Sequence, residues 1–189
     1  YAKEFGSVIK LLGVARNTAD GIEVAVHPML LPENHPLASV RDSFNAVFVH
    51  GDAVDDAMFY GKGAGEFPTA SAIMGDVIDV VRNIQYHCTG RISCTCYRTT
   101  PVKDFDDVEN KFFIRMQANN GVGVLAKICS VFGKHGVSIC KVVQKILPDN
   151  IGELAIDTEE VCERQMRAAL EELREMPITK EICNVIREY

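Results

Sequence analysis

The chain of 189 residues contains no apolar run long enough to cross a membrane. The longest, Val8 to Ala15, is interrupted by Lys10 and falls far short of the roughly 20 residues that a span requires. Positive charge is in deficit: 20 Lys and Arg against 26 Asp and Glu leave a net charge of −6, which argues against a general nucleic-acid binder. Tyr1, Ala2, Lys3 and Glu4 carry no signal-peptide pattern. The Cys-x2-Cys spacing of a structural zinc site is missing too. Cys88, Cys94 and Cys96, beside His87, follow Cys-x5-Cys-x-Cys, so no metal is expected. The seven cysteines are an odd number, and Cys129, Cys140 and Cys183 sit in apolar runs where a reduced thiol behaves as a small hydrophobe. Reduced cysteines place the chain in the cytoplasm. Alternation over Arg91 to Tyr97 predicts a strand with Cys94 and Cys96 on one face.

What is present is ordinary globular composition, 47% hydrophobic and 24% charged, with 14 Gly and 7 Pro. The length suits one large or two small domains and leaves no room for a dinucleotide-binding domain ahead of them. A composition break at Arg98 to Asn110, rich in Asp and Glu from Asp104 to Glu109, reads as a solvated linker.

Before the break, Ser7–Ala15 and Ile22–Leu31 read as an antiparallel hairpin turning at Asn17–Gly21. Leu37–Val40 suggests a short helical piece. Asn45–His50 and Val54–Tyr60 suggest a second hairpin, turning at Gly51-Asp52. A glycine loop, Gly61-Lys62-Gly63-Ala64-Gly65, then leads through Pro68 into a helix over Ala70–Tyr86 with an apolar stripe. After the break the pattern is βαββαβ: strand Lys111–Ala118, helix Gly123–His135, strands Val137–Ile146 and Glu153–Thr158, helix Glu160–Glu175, strand Glu181–Arg187. That order predicts an antiparallel sheet with two helices on one face.

The glycine loop is the most informative local feature. Its N–H groups can approach a ligand closely, and the helix start behind it favours an anion or an amide. Glu66 stands where the last glycine of Gly-x-Gly-x-x-Gly would be, and no Walker Lys-Ser/Thr follows, so neither nucleotide fingerprint is matched. The competing structural reading is a strand-to-helix turn that needs positive φ. His135 beside Gly136 reads as a helix C-cap, and His27 and His50 as structural histidines.

Ile9-Lys10-Leu11-Leu12-Gly13-Val14-Ala15, Val26-His27-Pro28, His35-Pro36-Leu37-Ala38, Tyr60 to Gly65, Pro68 to Ala72 and Gly75-Asp76 resemble, in order and spacing, the substrate-binding half of homoserine dehydrogenase. The resemblance covers about the first 85 residues. It implies an NAD(P)-dependent oxidoreductase interconverting L-homoserine and L-aspartate semialdehyde in threonine, methionine and isoleucine biosynthesis. It further implies that Gly61, Gly63 and Gly65 touch the cofactor, and that the catalytic lysine and acidic residues precede Tyr1. Lys10 belongs to a structural strand. This chain alone is therefore expected to be inactive.

The second half resembles an ACT domain. Asn120-Gly121-Val122-Gly123-Val124-Leu125 matches the turn between its first strand and helix, with Asn120 at the usual acidic position and Val122 at the usual proline; Val137-Ser138-Ile139 and Val143-Gln144 match its second strand. The resemblance implies effector binding at Asn120 to Leu125, with threonine as the effector. The expected architecture is α+β, a mixed or antiparallel sheet of the substrate-binding and dimerisation region with a long helix, followed by a ferredoxin-like ACT domain. The expected boundaries are 1–97, a linker over 98–110, and the ACT domain over 111–189. A homodimer through the first-half sheet is expected. The alternative is a non-enzymatic amino-acid sensor on a dimerisation platform.

Overall fold

The computed structural model describes residues 1–88 and 94–189. In chain order the elements are β1 (Ser7–Thr18), β2 (Gly21–Pro32), a 3-10 turn (Pro36–Ser39), β3 (Phe44–Gly51), β4 (Asp55–Lys62), α1 (Glu66–Gln85) and a 3-10 turn (Phe105–Asp107). There follow β5 (Glu109–Asn119), α2 (Val124–Lys134), β6 (Ile139–Leu147), β7 (Ile151–Thr158), β8 (Val161–Cys162), α3 (Glu163–Glu175) and β9 (Thr179–Glu188). They form two compact units, Tyr1–Glu33 with Thr100–Tyr189, and Asn34–Thr99.

The larger unit holds one sheet in the order β1-β2-β9-β5-β7-β6, with β8 beside β5. The βαββαβ order expected of the second half is present, and its sheet is antiparallel. Alternation along the strands divides the apolar residues between two faces. Phe112, Ile114, Met116, Leu154 and Ile156 pack with Ile128, Val131 and Phe132 of α2 and Met166, Ala169 and Leu173 of α3. Phe113 and Ala155 point the other way and are covered, with Leu30, by Tyr1, Ala2 and Phe5.

The first hairpin departs from the expected domain division. β1 and β2 pair over their full length, from Ser7 opposite Pro32 to Thr18 opposite Gly21. β2 then joins β9 in parallel, Met29 beside Arg187 and Leu30 beside Glu188. The hairpin is thus carried by the sheet of the second half, and the compact units cut across the segments 1–97 and 111–189. Sequence patterning sets which residues form a strand; it does not set which edge that strand finds.

The acidic stretch makes specific contacts of its own. Pro101 O accepts from Ile22 N at 2.9 Å, and Lys103 N donates to Ile22 O at 2.9 Å. Gly21, at φ +145°, makes room for this approach: a Cβ there would lie 2.7 Å from Pro101 O. Asp104 accepts from Asp106 N, Asp106 holds the Arg167 guanidinium through two bonds, and Asp107 pairs with Arg164. Val108 and Asn110 are buried. The acids of this run therefore strap α3 instead of merely facing solvent.

In the smaller unit β3 and β4 form the expected hairpin, Phe44 opposite Lys62 and Gly51 opposite Asp55. Phe44 and Tyr60 stack at 4.8 Å. The 3-10 turn Pro36–Ser39 starts where His35 Nδ1 accepts from Leu37 N at 3.2 Å. Helix α1 starts at Glu66, ahead of the expected Ala70, and takes Pro68 into its first turn. None of its residues is buried, and its apolar stripe, Ile73, Val77, Val80, Val81 and Ile84, faces solvent. The strand expected over Arg91–Tyr97 lies in part outside the described residues. Its described part, Cys94–Tyr97, is not a strand, and Cys94 and Cys96 are exposed. No helix of the described residues is long and apolar enough to cross a membrane.

Candidate functional site

The three glycines of the first candidate site do different work. Gly61 lies within β4 opposite Asn45, with nothing within 4 Å of where a Cβ would stand. Gly63 donates to Ser43 O at 3.3 Å, and a Cβ on it would fall 1.6 Å from Asn45 Nδ2, so the Asn45 amide occupies the space that this glycine leaves. Gly65 has φ +132° and ψ 149°, a conformation essentially reserved for glycine, and it caps α1 by accepting from Thr69 N at 3.1 Å. The turn requirement therefore explains Gly65 and the close approach of Asn45 explains Gly63. Gly61 leaves open space. Glu66 sits in the first turn of α1, where its carboxylate already complements the helix dipole. The loop is better suited to a neutral amide than to a phosphate.

The second candidate site is a cavity of about 170 Å³ at the start of α2, lined by Gly121, Gly123, Val124, Leu125, Gln144 and Gly152 among others. Gly123 caps the helix in the left-handed conformation, φ 79°, and no side chain caps it. Val124 N donates to Gly121 O and Lys127 N to Gly123 O, which leaves the N–H groups of Leu125 and Ala126 without a protein acceptor among the described residues. A carboxylate is the natural partner for such a pair.

Asn120 and Val122 do not line the cavity. The Asn120 amide donates to Asn150 Oδ1 at 2.8 Å, and Asn150 Nδ2 donates back to Asn120 O at 3.2 Å, which ties the loop to the β6–β7 turn. Val122 is fully exposed. The far wall comes from Ala118 of β5, Gln144 of β6 and Gly152 of β7. Of these, Gln144 belongs to the Val143-Gln144 motif of the second ACT strand. A glycine inside a strand was the available signal for Gly152.

Charged networks elsewhere are structural. Arg187 pairs with Glu163, bonded through Nη2 at 2.7 Å, and lies against the rings of Phe105 and Phe112; Asn110 donates to the same carboxylate at 2.9 Å. His27 stands near this pair, and burial, with Arg187, holds its imidazole below the usual range. His135 is the C-cap of α2 and meets Glu172 at 2.7 Å. His50 pairs with Asp56 at 2.8 Å on the surface. Among the described residues no three His, Cys, Asp or Glu side chains could together hold a metal ion.

Residues 1–78 match the family described as homoserine dehydrogenase, and residues 112–177 match the ACT domain. Over 189 residues the chain is 35% identical to a homoserine dehydrogenase of Bacillus subtilis, covering 99% of this chain and 44% of that protein. A homoserine dehydrogenase of Synechocystis is 39% identical, with 99% and 45% covered. The crystal structure of a homoserine dehydrogenase from Thiobacillus denitrificans superimposes with a TM-score of 0.89 at 34% identity, covering all of this chain and 44% of that one. The chain thus spans less than half the length of these relatives. It corresponds to the C-terminal region of the homoserine dehydrogenase family, a homoserine dehydrogenase segment followed by an ACT domain.

Proposed function

We propose that this chain is the part of an NAD(P)-dependent homoserine dehydrogenase that completes the substrate-binding half, over 1–97, and adds a feedback sensor over 111–189, joined through 98–110. The reaction is the interconversion of L-homoserine and L-aspartate semialdehyde, in the cytoplasm, on the route to threonine, methionine and isoleucine. The observation that carries the regulatory part is the cavity at Gly121 to Leu125, whose two free amides suit an amino-acid carboxylate. Threonine, the end product, is the effector. Asn120 shapes the loop through Asn150 and Val122 stays outside the cavity.

A nicotinamide cofactor supplies or takes the hydride when bound. Gly61, Gly63 and Gly65 would line its approach: Gly61 through open space, Gly63 by seating Asn45, and Gly65 by setting the start of α1. The carboxamide is the part that suits the loop beside Glu66. The resemblance implies that the catalytic groups belong to the portion of the relatives that this chain does not span, and the chain by itself is expected not to turn homoserine over.

The hairpin supports a homodimer. Ile9, Leu11, Val24 and Val26 are 51%, 73%, 51% and 75% exposed and lie on one face with Gly13 and Ala15, without a charged residue between them. An apolar face of this kind on an edge hairpin is suited to a second copy.

The test is thermal unfolding with millimolar threonine, homoserine, methionine, lysine and NADPH in separate wells. A ligand at 100 times its Kd stabilises by about 2.7 kcal/mol. A selective rise with threonine is expected. A flat response to all five would reduce the ACT domain to an association module and leave the enzyme assignment standing. Turnover of homoserine with NADP by the purified chain would overturn the expected inactivity.

A further inference from the structure

The back of the cavity is where the chain's first turn docks. Gln117, Glu153 and Lys145 stand directly opposite one another on β5, β7 and β6. Their immediate neighbours Ala118, Gly152 and Gln144 line the cavity on the helix side of the sheet. Successive residues of a strand point to opposite faces, so the same three strand ends present the cavity on one side and Gln117, Glu153 and Lys145 on the other.

That other side is occupied by the turn Tyr1–Gly6. The Tyr1 hydroxyl donates to Glu153 Oε2 at 2.7 Å, and Arg115 holds Glu153 Oε1 at 2.6 and 2.9 Å. Lys145 lies 4.5 Å from the Tyr1 ring and pairs with Glu4, and Lys141 lies 3.8 Å from the Phe5 ring. The turn in turn holds the open end of the hairpin: Ser7 N donates to Ala2 O at 2.8 Å and Glu33 N to Gly6 O at 2.9 Å. A continuous path therefore runs from the cavity, through one sheet thickness at Glu153, to the base of the β1–β2 hairpin.

We propose that Tyr1 and Glu153 form a coupling latch, through which occupancy of the Gly121–Leu125 cavity and docking of the Tyr1–Gly6 turn stabilise each other. The proposal rests on reading the cavity as an effector site. A ligand that bridges the start of α2 and Gln144 orders the ends of β5, β6 and β7, and a turn laid across ordered strand ends loses less freedom when it docks. Because coupling between two sites is reciprocal, loosening the turn must weaken the ligand by the factor through which the ligand tightens the turn.

The experiment uses the whole chain, with amide hydrogen exchange at Phe5, Gly6 and Ser7 and calorimetric threonine affinity. Threonine is expected to slow exchange at these amides about fivefold, and Tyr1→Phe, which keeps the ring and loses the bond to Glu153, to weaken threonine about fivefold. Threonine binding with unchanged exchange and an unchanged Tyr1→Phe affinity overturns the latch and leaves the effector site standing. If threonine gives no heat, the effector reading fails, and the latch is judged without ligand. Gly123→Ala, which strains the loop at φ 79°, and Gln144→Ala, which does not strain the backbone, are then expected to speed exchange at Phe5–Ser7. Native helicity with unchanged exchange in both variants overturns the coupling itself.

Discussion

The carboxyls of Glu188 on β9 and Asp157 on β7 interact across the intervening strand β5. Burial first, and then the Asp157 charge, pushes Glu188 up to about 7, while Lys111 and Lys141 work in the opposite direction. Burial raises Asp157 as well, and its Oδ1 is buried without a donor. The folded chain therefore holds a proton that the unfolded chain releases above its ordinary carboxylate range. Stability from this pair falls as pH rises from about 4.5 to about 7 and is level beyond.

Glu188→Gln supplies a permanent amide donor in place of that proton. We expect it to flatten the fall over this window and to raise stability at pH 8 by about 1–2 kcal/mol, once solvent screening of a half-buried group is allowed for. Urea unfolding at pH 5 and pH 8 checks this. A variant that follows the parent at both values would show that the carboxyls are not coupled.

Glu163 anchors the same end of β9 through Arg187, the residue before Glu188. Glu163→Ala leaves Arg187 without its partner between two aromatic rings and strips Asn110 of its acceptor. Breaking a buried pair on one side costs about 3 kcal/mol. Chemical unfolding is expected to show that loss, and Glu163→Gln, which keeps an acceptor for Asn110, a smaller one.

Gly65 adopts a backbone conformation that other residues reach only with strain. At φ +132° a Cβ would also approach Pro68 Cδ to 3.2 Å. Gly65→Ala should cost about 1–3 kcal/mol and shorten α1 from its start, whereas Gly61→Ala, with open space around it, should be tolerated. Loss of helical circular dichroism in the first variant alone is the expected pattern.

Leu11→Lys places a charge in the uncharged face of the hairpin. Sedimentation at micromolar concentration should show the parent as a dimer and the variant as a monomer, with unchanged helicity. Equal sedimentation of the two would exclude this face from the contact.

The sequence carries much of this architecture. The βαββαβ order, both hairpins and the long helix are legible because apolar periodicity and turn residues are local signals. The pairing of Leu30 with Glu188 is not legible, since it depends on which edge is open after the sheet forms. Nor is the role of Asp104 to Asp107, because an acidic run looks the same whether it faces water or Arg164 and Arg167. At the sites, the glycines of both loops are visible in advance. The Asn45 amide that fills Gly63's vacancy and the Asn150 amide that holds Asn120 are set by tertiary approach alone.

The parallel contact of β2 with the last residues of β9 bears on how such chains can be recombined. A splice placed at the acidic stretch near Arg98, where composition suggests a natural seam, would carry away the strand end that Met29 and Leu30 rest on and the Pro101–Lys103 rung that Ile22 bonds. A transplantable regulatory cassette would have to travel with residues 1–33 as well as with 100–189. The opening hairpin of the first module and the whole of the second are thus a single unit of inheritance in the folded chain.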